Sequence, residues 1–221
     1  MPNTVGSVRK DLSDGKKRRG RPKDADKGAI PLLILQAALL MFKKQGFDAT
    51  SVEQIAAAAG ASKTTIYRHF RTKEALAEAA VVQDGQNVLE TIRAIDNADP
   101  DPLVRLRTLT FGIADFAALP NNADLYRLSL AAVPRVPAIG RAFAATGAAL
   151  RALMQPHVEA AQAAGLLRQG DSEQLARQLY DAVVNPIWSD ALLLTPYVDD
   201  EAQRAAVMQA NWESFLRGAR A

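Results

Sequence analysis

Thr50 to Leu76 reads TSVEQIAAAAGASKTTIYRHFRTKEAL, and two short helices can be laid on it from local rules alone. Ser51 followed by Gln54 has the form of a capping box, so Thr50 and Ser51 open a helix whose apolar stripe is Val52, Ile55, Ala56 and Ala59. Gly60 stops it, because glycine tolerates the left-handed conformation that ends a helix. Ser62 caps the next one. There Ile66 and Phe70 stand four apart and face inward, while Lys63, Thr64, Tyr67 and Arg68 lie on other faces and reach outward. Thr72 is the cap of a further helix running from Lys73 toward Ile95. Two capped helices joined by Gly60-Ala61, the second basic and hydroxylated, form a helix-turn-helix pattern, in which the second member enters a DNA major groove. Lys63 and Arg68 can donate to guanine or to phosphate, and Thr64 and Thr65 offer a hydroxyl and a thymine-directed methyl.

Upstream, Ile30, Leu33, Ile34, Ala37, Ala38, Met41 and Phe42 recur at three- and four-residue steps, which predicts a helix from Gly28 to Gln45 ending at Gly46. Residues 1–27 are polar, charged and without periodicity, and read as a flexible arm. Within it KKRRGRPK, Lys16 to Lys23, carries an Arg-Gly-Arg-Pro core similar to an AT-hook, so Arg19 and Arg21 are candidates for a narrow A·T minor groove. Residues 1–80 hold 15 Lys+Arg against 8 Asp+Glu, and residues 81–221 hold 12 against 16, so the basic first third implies an anionic partner.

Downstream, prolines divide helical segments near 102–118, 122–132 and 138–163. Asp171 then caps a segment with Leu175, Leu179, Ala182, Val183, Ile187, Ala191 and Leu194 on one face, which Pro186 should kink. A last helix after Asp199 carries Met208, Trp212, Phe215 and Leu216. With 48% hydrophobic residues but only 6% aromatic ones, and no strand alternation, the chain reads as all-α. It has no Cys and two His, which removes thiolate zinc sites and cysteine nucleophiles. No phosphate-binding glycine loop or nucleophile elbow is present, so neither an enzyme, a cofactor nor a metal is expected. The run Ala29 to Phe42 is too short to span a bilayer, and a cytoplasmic protein with no membrane partner is expected.

The stretch Thr50–Leu76 resembles the DNA-binding region of TetR-type transcriptional repressors, and Ala37, Ala38, Phe42, Gly46 and Phe47 extend the likeness through the first helix. The resemblance implies a homodimer on a palindromic double-stranded DNA operator, a three-helix reader with the next helix as connector, and a larger helical domain for an inducer and dimerisation. It implies DNA contacts at Lys63, Thr64, Thr65, Tyr67 and His69, and phosphate contacts at Ser51 and Lys73; Arg68 falls at a variable position. Helix starts present backbone N–H groups to anions, an independent reason for Ser51 and Lys73. Leu33 and Leu40 depart from the family's polar habit and are expected to pack on the second domain. Leu125–Phe143 and Gln174–Trp188 are similar to the C-terminal domain of AefR-like regulators, and the family resemblance favours the helices of the Leu175–Leu194 stripe and of Trp212 and Phe215 as the dimer's four-helix bundle, with intrachain core as the other reading of the same residues. The expected division is an arm, 1–27, a reader, 28–74, and a ligand and dimerisation domain, 75–221.

A small apolar inducer would take an apolar pocket with few polar groups. Candidates to line it are Phe111, Phe116, Tyr126, His157, Tyr180, Asn185 and Trp188. The rival reading is an architectural, nucleoid-type protein with little sequence preference and no inducer.

Overall fold

Local capping chemistry sets most of the helix starts. The computed structural model describes residues 24–95, 98–195 and 200–221, the side chains of residues 24–29 and of Leu128 excepted. Helix α1 (Asp24–Ala49) starts earlier than the periodicity predicts and bends at Gly46, whose φ of 81° and ψ of 168° suit glycine. The buried Thr50 hydroxyl donates to the Gly46 carbonyl at 2.7 Å and ties that bend to the next element. Helix α2 (Val52–Ala58) has the expected capping box, with Gln54 N–H donating to Ser51 Oγ at 3.2 Å and Ser51 N–H to Gln54 Oε1 at 2.8 Å. It ends in a Schellman motif on Gly60 (φ 61°), where Ala61 N–H donates to Ala56 O at 2.9 Å. Ser62 caps α3 (Lys63–His69), and Thr72 caps α4 (Lys73–Arg93).

Helices α5 (Pro102–Ala118), α6 (Pro120–Ala132) and α7 (Pro137–Ala163) each carry proline in the first turn, where the missing N–H costs nothing. Helix α8 (Ser172–Leu179) runs through a π-helical turn, Tyr180–Val184, into α9 (Asn185–Leu192). That turn is the response to Pro186: the ring has no N–H for the carbonyl of Ala182, and the helix absorbs the defect as a wider turn in which Asn185 N–H donates to Tyr180 O. Helix α10 (Glu201–Ala219) follows, capped by Asp200. Among the described residues there is no strand.

Two cores form. The larger joins α5, α7, α8, α9 and α10, with Leu106, Met154, Val158, Leu179, Val183 and Ile187 fully buried. The stripe expected at a dimer bundle is spent here, since Leu175, Val183, Ile187, Ala191 and Trp212 pack inside the chain; Leu194 instead follows the end of α9 at φ 58° and is exposed. The smaller core gathers Ile34, Ala38, Phe42, Ile55 and Ile66 around Leu76, Ala77, Ala80 and Val81 of α4. It is completed by Ala132, Val136 and Ile139 from the α6–α7 corner, so packing continues across residue 74 rather than parting there.

Leu33 and Leu40 correct an expectation. They are 52% and 62% exposed, because the face of α1 that meets α4 and α6 is the one bearing Ile34, Ala37, Ala38 and Phe42. Ile30–Ala49 is long and apolar enough to cross a bilayer by length and composition, although its Ile34, Ala37, Ala38 and Phe42 are buried in the smaller core.

Candidate nucleic-acid interface and adjoining cavity

The three-helix head holds α3 by one residue above all: Ile66, 1% exposed, packs among α1, α2 and α4. Phe70 is only half-buried, because it sits one position beyond α3 as its C-cap in extended conformation. On the opposite side Lys63, Thr64, Tyr67 and Arg68 are exposed, Tyr67 to 41%, with His69 exposed beside Phe70. A tyrosine left so open on a well-capped helix has an apolar ring and a polar tip available to a partner.

The candidates differ in what already occupies them. Lys63 is ion-paired with Glu53 of α2, and this pairing raises the ammonium pKa and lowers that of the carboxyl. Its Nζ also lies 5.8 Å from the Tyr67 ring centre. Thr65 is half-buried, with its N–H on Ser62 Oγ at 3.0 Å and the two hydroxyls 2.8 Å apart, so it serves the cap of α3. Ser51 is likewise engaged as the cap of α2. Lys73 lies 4.3 Å over the Phe47 ring and donates to Asp48 O at 3.4 Å, which pins the start of α4 against the α1–α2 corner. Thr64 and Arg68 make no such tie among the described residues, and Tyr67 makes only the contact of its ring with the Lys63 ammonium. Arg19 and Arg21 lie outside the described residues.

Behind the head is a cavity of about 470 Å³ between α4, α5, α6, α7 and α9. Of the seven candidate ligand residues it brings together Phe116, Tyr126, Tyr180, Asn185 and Trp188. Tyr126 stands edge-on to Trp188 at 4.8 Å and to Phe143 at 4.6 Å. Phe111 and His157 do not line it. Phe111 points to the far side of α5, edge-on to Trp212 at 6.3 Å and 4.3 Å beneath Arg107. His157 is half-buried elsewhere on α7, where burial and then the charge of Arg105 hold its imidazole below the ordinary range.

Residues 34–80 match the family model for bacterial regulatory proteins of the tetR family, and residues 105–218 match that for the AefR-like transcriptional repressor, C-terminal domain. The chain belongs to the TetR family. TetR-family proteins are non-enzymatic, DNA-binding transcriptional regulators that typically form dimers. Among curated relatives, the transcriptional activator FasR of Mycolicibacterium smegmatis is 31% identical over 52% of this chain and 50% of its own. UidR of Escherichia coli is 29% identical over 41% of this chain and 42% of its own. The chain thus spans half or less of the length of these relatives. Solved structures agree over far more of it. A TetR-family regulator from Mesorhizobium loti superposes with a TM-score of 0.77 at 25% identity, covering 88% of this chain and 98% of that one. The flavonoid-responsive regulator FrrA gives a TM-score of 0.70 at 25% identity, covering 87% and 98%.

Several features of this TetR-family chain escape sequence reasoning. Gly85 on α4 is a close-approach point: a Cβ there would lie 2.3 Å from Thr146 Oγ1 of α7. Asp84 next to it faces the cavity, and burial pushes its carboxyl above the usual range, with Lys43 pulling the other way. Arg151 of α7 also reaches the cavity. Glycine, aspartate and arginine inside amphipathic helices carry no signal of their own; only the meeting of α4 with α7 gives them a common wall. The α6–α7 corner is similar. Arg135 in it pairs with Asp48 of the head, a partner 87 residues away.

Proposed function

We propose that this protein is a transcriptional repressor that binds a palindromic operator as a homodimer and leaves it when a small molecule fills the cavity. One observation carries the reading: α4 is a single 21-residue helix whose first residue, Lys73, borders the reading head and whose Val81, Asp84, Gly85, Val88 and Ile92 form cavity wall. A ligand that reshapes that wall has a direct mechanical route to the spacing of two heads. It shifts the equilibrium only by its differential affinity for the two spacings. The likeness to a C-terminal domain named for a repressor, and to a regulator named as flavonoid-responsive, supports repression and ligand response.

In this reading Thr64, Tyr67, Arg68 and His69 face the bases and neighbouring phosphates. Lys63 joins them once released from Glu53, Lys73 and Ser51 sit at helix starts beside the backbone, and Thr65 holds the recognition helix in shape. Arg19 and Arg21 add minor-groove contacts from the arm, so deleting residues 1–23 is expected to weaken binding and flatten its salt dependence. Selection of duplexes from a random pool, followed by competition with random DNA, tests the whole. A repressor prefers its operator by roughly 10³-fold or more. Equal affinity for all duplexes would leave the architectural reading instead. Activation is the second reading, favoured by the name of FasR, and a reporter fused to the selected promoter distinguishes it by the sign of its response.

A further inference from the structure

We infer that the ligand of the cavity is a planar aromatic anion, its ring set against Phe116, Tyr126, Phe143 and Trp188 and its anionic oxygen on the Arg151 guanidinium. This deepens the ligand-released reading above and rests on the cavity being the ligand site.

The wall chemistry argues for the ring. Tyr126 holds Phe143 and Trp188 edge-on at 4.6 and 4.8 Å, so three aromatic side chains from α6, α7 and α9 meet at one place, and Phe116 and Tyr180 complete the lining. Edges and faces of fixed aromatic side chains favour a flat aromatic guest over a flexible chain. The volume of about 470 Å³ lies in the lower part of the range of roughly 300–1,000 Å³ for sites that enclose drug-sized molecules.

The charge follows from Arg151. Arg151 is half-buried and lines the cavity, and its guanidinium carbon lies 5.5 Å from the centre of the Tyr180 ring. Among the described residues it has no carboxylate and no hydrogen-bond acceptor. The other arginines that reach inward are accounted for: Arg127 pairs with Asp124 and donates to Ala191 O at 2.8 Å, and Arg204 pairs with Asp115 at 2.9 Å. A half-buried guanidinium on a cavity wall with no carboxylate beside it is a ready partner for a carboxylate or phenolate, which supplies both the counter-charge and the acceptors. Asp84, the acid that lines the cavity, does not serve. Lys43 is the cation that acts on it, and Arg151 does not figure among the charges that shift it. The hydroxyls of Tyr126 and Tyr180 and the indole N–H of Trp188, which also line the cavity, make no hydrogen bond among the described residues and leave further donors for a polar ligand.

The test compares 2-naphthoate with its neutral isostere 2-naphthamide by calorimetric titration of the full-length protein at neutral pH. At least tenfold tighter binding of the carboxylate is expected. Arg151→Gln should abolish that preference while leaving amide binding intact and without lowering thermal stability, and Arg151→Lys should restore part of it. Equal or tighter binding of the amide, no binding of the naphthoate, or a preference that survives Arg151→Gln in a folded variant would overturn the inference. Operator release is measured separately by anisotropy of a labelled duplex. Naphthoate that binds through Arg151 yet releases no DNA would count against the ligand-released reading and leave the anion site standing.

Discussion

The reading head and the cavity are made differently. In the head, the short helices that carry the functional side chains are set by partners close in sequence: Ser51 and Gln54 cap α2, Ser62 and Thr65 cap α3, and Gly60 turns the chain between them. In the cavity, Asp84, Phe116, Tyr126, Arg151 and Trp188 come from five helices and share no local motif. A surface read by a rigid groove needs exact local geometry on a small scaffold, whereas a pocket needs enclosure, which only distant segments can supply. The two meet at α4 and at the α6–α7 corner, whose Ala132, Val136 and Ile139 are part of the head's own core.

That contrast can be broken, and the largest expected effect is in the head. Ile66→Ala should destabilise the protein by about 2–5 kcal/mol and abolish DNA binding indirectly, whereas Tyr67→Ala should cost about 1–3 kcal/mol of operator binding with the melting temperature unchanged. A stability loss at Tyr67 matching that at Ile66 would mean that both faces of α3 are structural. Phe70→Ala, at a half-buried position, should fall below Ile66→Ala in denaturant titrations.

Next in size is the α4–α7 contact. Gly85→Ala should destabilise by roughly 1–3 kcal/mol through the clash with Thr146, and Thr146→Ala in the same chain should recover most of the loss. Additive losses in the double-mutant cycle would show that the two helices are not in register there. Glu53→Gln should then strengthen operator binding by a few-fold at low salt, since it frees Lys63 from its ion pair, and the gain should fade as salt rises. Weaker binding would make the pair part of the recognition surface rather than a competitor to it.

The smallest effect concerns Asp84. Burial raises its pKa in the folded protein, so its contribution to stability is fully present below the ordinary carboxylate pKa and is lost as pH rises through the raised one. Asp84→Asn should therefore raise the melting temperature at neutral pH and have little effect in acid, below the ordinary carboxylate pKa. A pH-independent difference would place that carboxyl in water rather than in the cavity wall.

The helices, their caps and the helix-turn-helix could be read from residues because the interactions that make them span three to five positions: Ser51 to Gln54, Ala56 to Ala61, Ser62 to Thr65. Phe116, Tyr126, Tyr180, Asn185 and Trp188 of the cavity wall were also legible, as aromatic or amide side chains on helices expected to pack, while Phe111 and His157, which do not line it, were not separable from them by type alone. Pro186 announced a defect but not its form, since a kink and a π-turn relieve the same missing N–H, and the chain takes the π-turn at Tyr180–Val184. Leu33 and Leu40 show the reverse error, apolar residues whose burial periodicity promised and the neighbouring helices did not provide. What the amino-acid order determined by itself was therefore everything closed by short loops of chain. What the tertiary structure alone decided was which face of α1 is covered, that Gly85 meets Thr146, and that Arg151 stands without an acidic partner among the described residues beside an aromatic cavity, because each depends on where segments tens of residues apart come to rest.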